Sequence, residues 1–265
     1  MSRLFHARFG DILVPMDGHD FAPFDWPKAG AYPLFPFHNR VVDGLLRFEG
    51  REYRIAPHPA LTPDAMHGPA HRQPWAITER DGRCLVMMLD HAADDGWPFR
   101  FRAEQEFSIE ENQLAITLRL ANTGQQAMPG GLGWHPYFRA GLERNVEADA
   151  AIAYPLDIRN LPLETAAFPR QSGTVSIKAG DTKHFSQWTQ ACLQTDGNAL
   201  VELQAEEGLG HLAVHRMPGY LCVEPVSHKA GTLHLPHAAE GEGLRTIRPG
   251  RSIEARFRLL LSGCA

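Results

Sequence analysis

The stretch Phe99-Arg100-Phe101-Arg102-Ala103-Glu104-Gln105-Glu106-Phe107-Ser108-Ile109-Glu110 decides how this chain is read. Its odd positions carry Phe, Phe, Ala, Gln, Phe and Ile, and its even positions carry Arg, Arg, Glu, Glu, Ser and Glu. A period of two belongs to a strand with one face against a core and the other in water. After the polar connection Glu111-Asn112-Gln113 the alternation resumes, with Leu114, Ile116, Leu118 and Leu120 set against Ala115, Thr117, Arg119 and Ala121. Together the two segments predict a long antiparallel hairpin with one wet face. The C-terminus repeats the pattern: Ile253, Ala255, Phe257 and Leu259 alternate with Glu254, Arg256 and Arg258 behind the turn Pro249-Gly250.

Outward from the hairpin, shorter strand candidates are punctuated by turn residues. They are Gly44–Phe48, Glu52–Ile55, Cys84–Leu89, Thr174–Ile177, Ala191–Gln194, Ala199–Gln204, His211–Arg216 and Tyr220–Val223. No stretch of ten or more residues is amphipathic at helical spacing, and no strand leads through a glycine-rich turn into a helix. The expectation is one all-β domain spanning residues 1–265, an antiparallel sandwich or barrel. Long irregular loops are expected at Asp17–Asn39, Ala56–Pro74 and Ala150–Gln171.

Composition narrows the function. The 265 residues hold 26 Lys+Arg against 31 Asp+Glu, a net charge of −5, without a dense basic run. That argues against nucleic acid and an anionic membrane surface as partners. No apolar run is long enough to span a bilayer, and the start MSRLFHARFGDILV has no apolar core of a secretory signal. Cys84, Cys192, Cys222 and Cys264 are scattered without paired spacing, which fits a reducing compartment, and a cytoplasmic protein is expected. Oligomeric state leaves no trace in the sequence.

The 14 histidines first suggest a metal. His67 and His71 are four apart, but Gly68-Pro69 keeps them off a shared helix face; His211 and His215 would point the same way from a strand, without a carboxylate or cysteine at ligand spacing. No metal site is therefore predicted. Nor is there a Gly-x-Ser-x-Gly elbow, and Cys222 lies in an apolar run where a thiol is usually a small hydrophobe. General acid–base chemistry has better candidates. Glu224 follows Tyr220-Leu221-Cys222-Val223, and Pro225 is expected to stop the ladder there. His135 sits on a stiff turn between Gly130–Trp134 and Pro136. A carboxylate and an imidazole make a base and an acid near neutral pH.

Several segments, in order along nearly the whole chain, resemble the aldose 1-epimerase (galactose mutarotase-like) family. They are Leu34-Phe35-Pro36-Phe37-His38-Asn39-Arg40 with Asp43-Gly44, Met66-His67-Gly68 with Trp75, Trp97-Pro98-Phe99, and Asn122-Thr123-Gly124. Met128-Pro129, Gly133-Trp134-His135-Pro136-Tyr137-Phe138, Glu224-Pro225 and Arg248-Pro249-Gly250 complete the set.

The resemblance implies an antiparallel β-supersandwich that holds a small-molecule sugar and interconverts its α and β anomers without a cofactor. It implies that Glu224 takes the proton of the anomeric hydroxyl, that His135 gives one to the ring oxygen, that His67 assists, and that Arg40 contacts sugar hydroxyls. Asn39, Arg72, Trp75 and Tyr137 are further candidates for the sugar site. One departure concerns an aspartate that the family often places three residues before a Phe and six before a Trp. Phe185 and Trp188 put Thr182 at that position and Asp181 one residue earlier, so either Asp181 serves or the contact is missing. Arg40, Arg72 and Arg139 leave room for an anionic hexose, phosphorylated or sulfonated. A non-catalytic carbohydrate-binding module is the alternative from another class.

Overall fold

The hairpin forms as its alternation requires, with Phe101–Glu110 and Gln113–Asn122 pairing antiparallel over their full length. The connection is tighter than expected: Gln113 already pairs with Glu110, and Glu111 adopts φ +49° in the turn. The computed structural model describes the chain except residues 17–21, 23, 26, 142–145, 164–167, 170–172, 176, 236–241 and 264–265.

The hairpin is the middle of a twelve-stranded sheet. Cys84–His91 and then Ala76–Arg80 add on one side; on the other lie the C-terminal strand Ser252–Gly263 and then Ala199–Glu207. Phe101, Ala103, Phe107, Ile116, Leu118, Leu120, Ala255, Phe257 and Leu259 point inward and are buried. Ile109 at the hairpin tip is half exposed, because the core does not reach that far. Each of the larger buried side chains removes enough apolar surface to contribute roughly 1.5–3 kcal/mol.

The sheet then forks. The strand Thr182–Gln194 pairs along its length with Val146–Tyr154, but its two ends have different partners on the other side. Gln190–Gln194 pair with Ala199–Glu207 in the large layer, whereas Thr182–Ser186 pair with His211–Met217. Tyr220–Val226 extends that second branch. Gln187, between the two ends, has φ +54°, and Gly208 at the end of the diverging strand has φ +73°, where an added Cβ would meet Glu254 O at 2.6 Å. A residue with a side chain is strained at Gly208, so glycine permits the branch point there. Two layers result, packed through one contiguous apolar cluster in which Phe257 of the large sheet meets Trp134 at a ring separation of 5.4 Å. This is the β-supersandwich, with open sheets rather than a closed barrel.

Four local expectations need correction. Part of the stretch expected to be loop, Ala150–Gln171, belongs to the nine-residue strand Val146–Tyr154, in which Val146, Ala148 and Ala150 are the buried set. The expected loop Asp17–Asn39 contains the short strand Ala31–Pro33, and the Ala56–Pro74 stretch contains Ala65–Met66 and two 3-10 turns. Pro225 does not end its strand, which runs on to Val226 with Pro225 opposite Leu212. On the side away from His211–Met217 the strand bonds to residues 132–138 near its two ends, Leu221 with Phe138 and Ser227 with Leu132, and Pro225 lies between these bonds, where a residue without an N–H is tolerated.

No helix of the described residues is long and apolar enough to cross a membrane. Cys84, Cys192 and Cys222 are free thiols, and Cys264 lies outside the described residues.

Candidate active site

The second branch presents two rows of side chains to one face. In register, His184 lies opposite Ala213 and Ala213 opposite Glu224; one step along, Thr182 lies opposite His215 and His215 opposite Cys222. Directly opposed residues share a face, so Thr182, His184, Ala213, His215, Cys222 and Glu224 all point the same way. The alternate residues Leu212, Val214, Leu221 and Val223 face the apolar interior. Ala213 is the small member of its row, and space opens beside Glu224. A cavity of about 270 Å³ occupies that space, lined by this face, by three segments that carry the polar groups described next, and by Arg159 and Asn160.

The first segment brings His135. Trp134–Pro136 pairs with Ala31–Pro33, which sets Tyr32 directly opposite His135. The imidazole stacks on Tyr32 at 4.6 Å and on Tyr137 at 4.8 Å, and the two phenol oxygens lie 3.4 Å apart. Two aromatic faces therefore fix the plane of the ring and aim Nε2 at Glu224. The separation from His135 Nε2 to Glu224 Oε1 is 3.3 Å, with both side chains buried.

His67 and Asn39 hold the other two segments together. The His67 N–H donates to Asn39 O at 3.0 Å, and the Asn39 N–H donates to His67 Nδ1 at 3.1 Å. Because Nδ1 accepts, the neutral His67 ring carries its proton on Nε2. Both residues have positive φ, His67 at +61° and Asn39 at +58°, and Gly68 beside them approaches the Phe35 carbonyl so closely that a Cβ would sit 2.0 Å from its oxygen. The His67 ring meets His135 edge-on at 5.3 Å. At the rim Arg40 donates from Nη1 to Asp64 at 3.0 Å, and Arg159 reaches the other oxygen of Asp64 at 3.4 Å.

Burial sets the protonation states. Desolvation pushes Glu224 up to about 8, and it pushes His135 down to about 3 with smaller contributions from His215 and His71. His67 is held well below the usual range, again mainly by burial, with His135 and His71 adding to it. His184 falls to about 4 for the same first reason. The pair of His135 and Glu224 thus holds a single exchangeable proton around neutrality, within reach of both groups.

Glu224, His135, His67, Asn39, Arg40 and Tyr137 are brought together in the cavity wall. Arg72, Trp75 and Asp181 are not among the lining residues. Arg72 lies over the Phe24 ring at 4.8 Å and donates to Gly68 O at 3.4 Å. Trp75 gives its indole N–H to Ala70 O at 2.9 Å and packs beside Phe35, a structural use of the ring. The Asp181 carboxylate accepts from the Lys178 N–H at 3.2 Å, while its neighbour Thr182 lines the cavity and contacts His215 Nδ1 at 3.0 Å. Arg139 is also outside the lining.

Sequence reading did not single out Tyr32, His184, Tyr220, Lys28 or Arg159, which also line the cavity, as do Leu61 and Asn160. His184 had a signal, since Thr182, His184 and Ser186 alternate with Lys183 and Phe185. Tyr32 had none beyond its place ahead of Pro33. Spacing along the chain also concealed a cluster of possible metal ligands. The ligand atoms of His135, Cys222 and Glu224 all lie within 4.8 Å of one another.

The model of the aldose 1-epimerase family matches residues 10–259, and the chain belongs to that family. The uncharacterized protein YphB of Escherichia coli strain K12 is 26% identical over 264 aligned residues, covering 87% of this chain and 83% of YphB. Among solved structures, a putative aldose 1-epimerase from Escherichia coli K12 superposes with a TM-score of 0.82 at 20% identity, covering 96% of this chain and 90% of that one. A galactose mutarotase-like protein from Clostridium acetobutylicum gives 0.83 at 18% identity, covering 97% and 87%. At these identities the structural likeness concerns the fold.

Proposed function

We propose that this member of the aldose 1-epimerase family interconverts the α and β anomers of a hexose by acid–base ring opening and closing. The observation that carries this reading is the 3.3 Å separation of His135 Nε2 and Glu224 Oε1 at the wall of a sugar-sized cavity.

The chemistry follows from the one proton that the pair holds. Ring opening starts once that proton, which burial holds on Glu224 in the empty site, has moved to His135 and left Glu224 a carboxylate facing the anomeric hydroxyl. Glu224 takes the hydroxyl proton, the C1–O1 bond becomes a carbonyl, the C1–O5 bond breaks, and His135 delivers its proton to O5. The pair is then neutral, with protonated Glu224 and neutral His135. Burial favours that same state in the empty site, so the wall is matched to the open-chain aldehyde. Rotation about C1–C2 exposes the other carbonyl face. Reclosure returns the O5 proton to His135 and the Glu224 proton to the new anomeric oxygen. Proton transfer of this kind is worth about 10²–10⁴ in rate, and alignment of the sugar adds to it. The Nε2–H of His67 is a donor for a sugar oxygen beside the ring, and Asn39, Arg40, Tyr137 and Thr182 are the polar groups available to the remaining hydroxyls.

Polarimetry on freshly dissolved α-glucose and α-galactose tests the assignment. Wild-type protein is expected to speed equilibration, and Glu224→Gln and His135→Asn are expected to abolish most of the acceleration. Equal rates for all three would overturn it for those sugars, and saturable sugar binding without any acceleration would make the protein a binding module.

A second reading concerns the sugar. Lys28, Arg40 and Arg159 line the cavity, and Glu224 is the single carboxylate among the lining residues. Asp64 behind the wall pairs with both Arg40 and Arg159, so one positive charge beyond that pairing, Lys28, together with the two guanidinium forks, is what suits a hexose carrying a phosphate or sulfonate. Arg159→Ala is then expected to raise KM for glucose 6-phosphate several-fold and leave KM for glucose unchanged. An equal effect on both sugars would remove the anionic reading.

A further inference from the structure

Cys222 has no task in acid–base ring opening, yet its surroundings are not those of a core thiol. It stands two residues before Glu224 in one strand and directly opposite His215, so it belongs to the polar face and not to the apolar one. It is fully buried just beneath the lining, and its Sγ lies within 4.8 Å of both a His135 nitrogen and a Glu224 oxygen. These three side chains come from two separate strands, and all three are buried. Among the described residues no other such group of three His, Cys, Asp or Glu side chains is assembled.

The geometry points to a site for a thiophilic divalent cation of the zinc class, held by His135 Nε2, Cys222 Sγ and a Glu224 oxygen, with the fourth position open to the cavity. One imidazole, one thiolate and one carboxylate are the donor types that zinc prefers, and three protein ligands with an open position form its usual accessible geometry. Zinc bonds of about 2.0–2.3 Å put tetrahedral ligand atoms roughly 3.3–3.7 Å apart. The 3.3 Å between His135 and Glu224 is already such an edge, and the thiol, within 4.8 Å of both, must come in by at most about 1.5 Å. Charge balances as well, since a thiolate and a carboxylate offset a divalent ion in a buried setting. On binding, the thiol proton and any proton on Glu224 leave to solvent, and three bonds to the metal form.

The cation and the sugar then exclude each other. The ion uses the Nε2 and the carboxylate oxygen that ring opening needs, so its occupation silences the epimerase; this consequence, unlike the site itself, rests on the function proposed above.

Cobalt(II) and zinc(II) are the probes. One equivalent of cobalt added to the reduced protein is expected to give a thiolate-to-metal charge-transfer band that zinc displaces. The band should persist in Cys84→Ser and Cys192→Ser and vanish in Cys222→Ser. Zinc should inhibit anomer exchange competitively with sugar in the wild type and at least tenfold more weakly in Cys222→Ser, whose metal-free rate is unchanged. Should Cys222→Ser fail to fold, Glu224→Gln must weaken cobalt binding at least tenfold. No band in the wild type, or a band that survives Cys222→Ser, overturns the site. A Cys222-dependent band with no effect of zinc on anomer exchange upholds the cation site and overturns the roles given to His135 and Glu224.

Discussion

The hairpin Phe101–Asn122 and the strand pair His211–Val226 are both antiparallel, both two-residue periodic and both half inside the protein, yet they place charge on opposite sides. On the hairpin the charged residues stand in water and find partners there: Arg119 reaches Glu104, Glu106 at 3.0 Å and Glu254 across three strands. Its inward face is almost wholly apolar. On the second pair the apolar residues Leu212, Val214, Leu221 and Val223 face the core, while Glu224 and the neighbouring His184 are buried and His215 is half-buried on the cavity side. Burying titratable groups opposes folding unless something is gained elsewhere. The first region is organised for stability, and the second carries polar groups that stability alone would not select.

Substitutions at the two regions should therefore have opposite profiles. The largest effect is expected from Glu224→Gln and His135→Asn, which should lower kcat by about 10²–10⁴ while circular dichroism stays native. Glu224→Gln should also stabilise the protein in alkali. Burial raises the Glu224 carboxyl from an ordinary 4.5 to about 8, so its stabilising protonated form is present at low pH and is lost as pH rises through that value. An uncharged Gln escapes the loss, and the thermal midpoint of Glu224→Gln above pH 8 should exceed that of the wild type by a few degrees. A lower midpoint would contradict the desolvated carboxylate.

Phe257→Ala tests the layer to which the hairpin belongs, on the strand that pairs with it at Ile116. It removes a fully buried ring from the contact with Trp134 and should cost about 3–5 kcal/mol in denaturant unfolding, with kcat per folded molecule unchanged. A large fall in kcat with little loss of stability would erase the distinction between the regions.

The pH dependence is a smaller effect with a definite sign. Because His135 is pushed down to about 3 and Glu224 up to about 8, their shared proton is held between those limits. kcat/KM should stay level through the neutral range and decline above about pH 8 as that proton is lost. A rate that rises through pH 8 would show that a bare carboxylate without its acid partner suffices. The smallest effect belongs to Arg119→Ala, expected to cost about 1 kcal/mol or less and to shrink further in high salt, since its partners are solvent-accessible.

The two regions also differed in how openly the sequence displayed them. The hairpin and the C-terminal strand are legible because large apolar residues alternate with charges over ten positions or more. Val146–Tyr154 is not, because its buried positions include Ala148 and Ala150, which carry little hydrophobic signal between polar neighbours. Glu224, His135 and His67 were found through motifs and not through periodicity, and the structure brings them to one cavity. Arg72 and Trp75 lie near the His67 motif in sequence, but a 3-10 turn over Ala70–Arg72 carries them away from the lining, and Asp181 sits in the turn before the strand Thr182–Gln194, where its carboxylate is taken by the Lys178 N–H. Tyr32, His184 and Arg159 arrive by register and loop placement from distant positions, a relation that no local pattern encodes.

The most direct test is a structure of the protein with a bound aldose. The account predicts that a Glu224 oxygen lies within hydrogen-bond distance of O1 and that His135 Nε2 lies within hydrogen-bond distance of O5, on either side of the C1–O5 bond. A sugar seated with its anomeric carbon toward the Arg40–Arg159 rim, remote from Glu224 and His135, would contradict it.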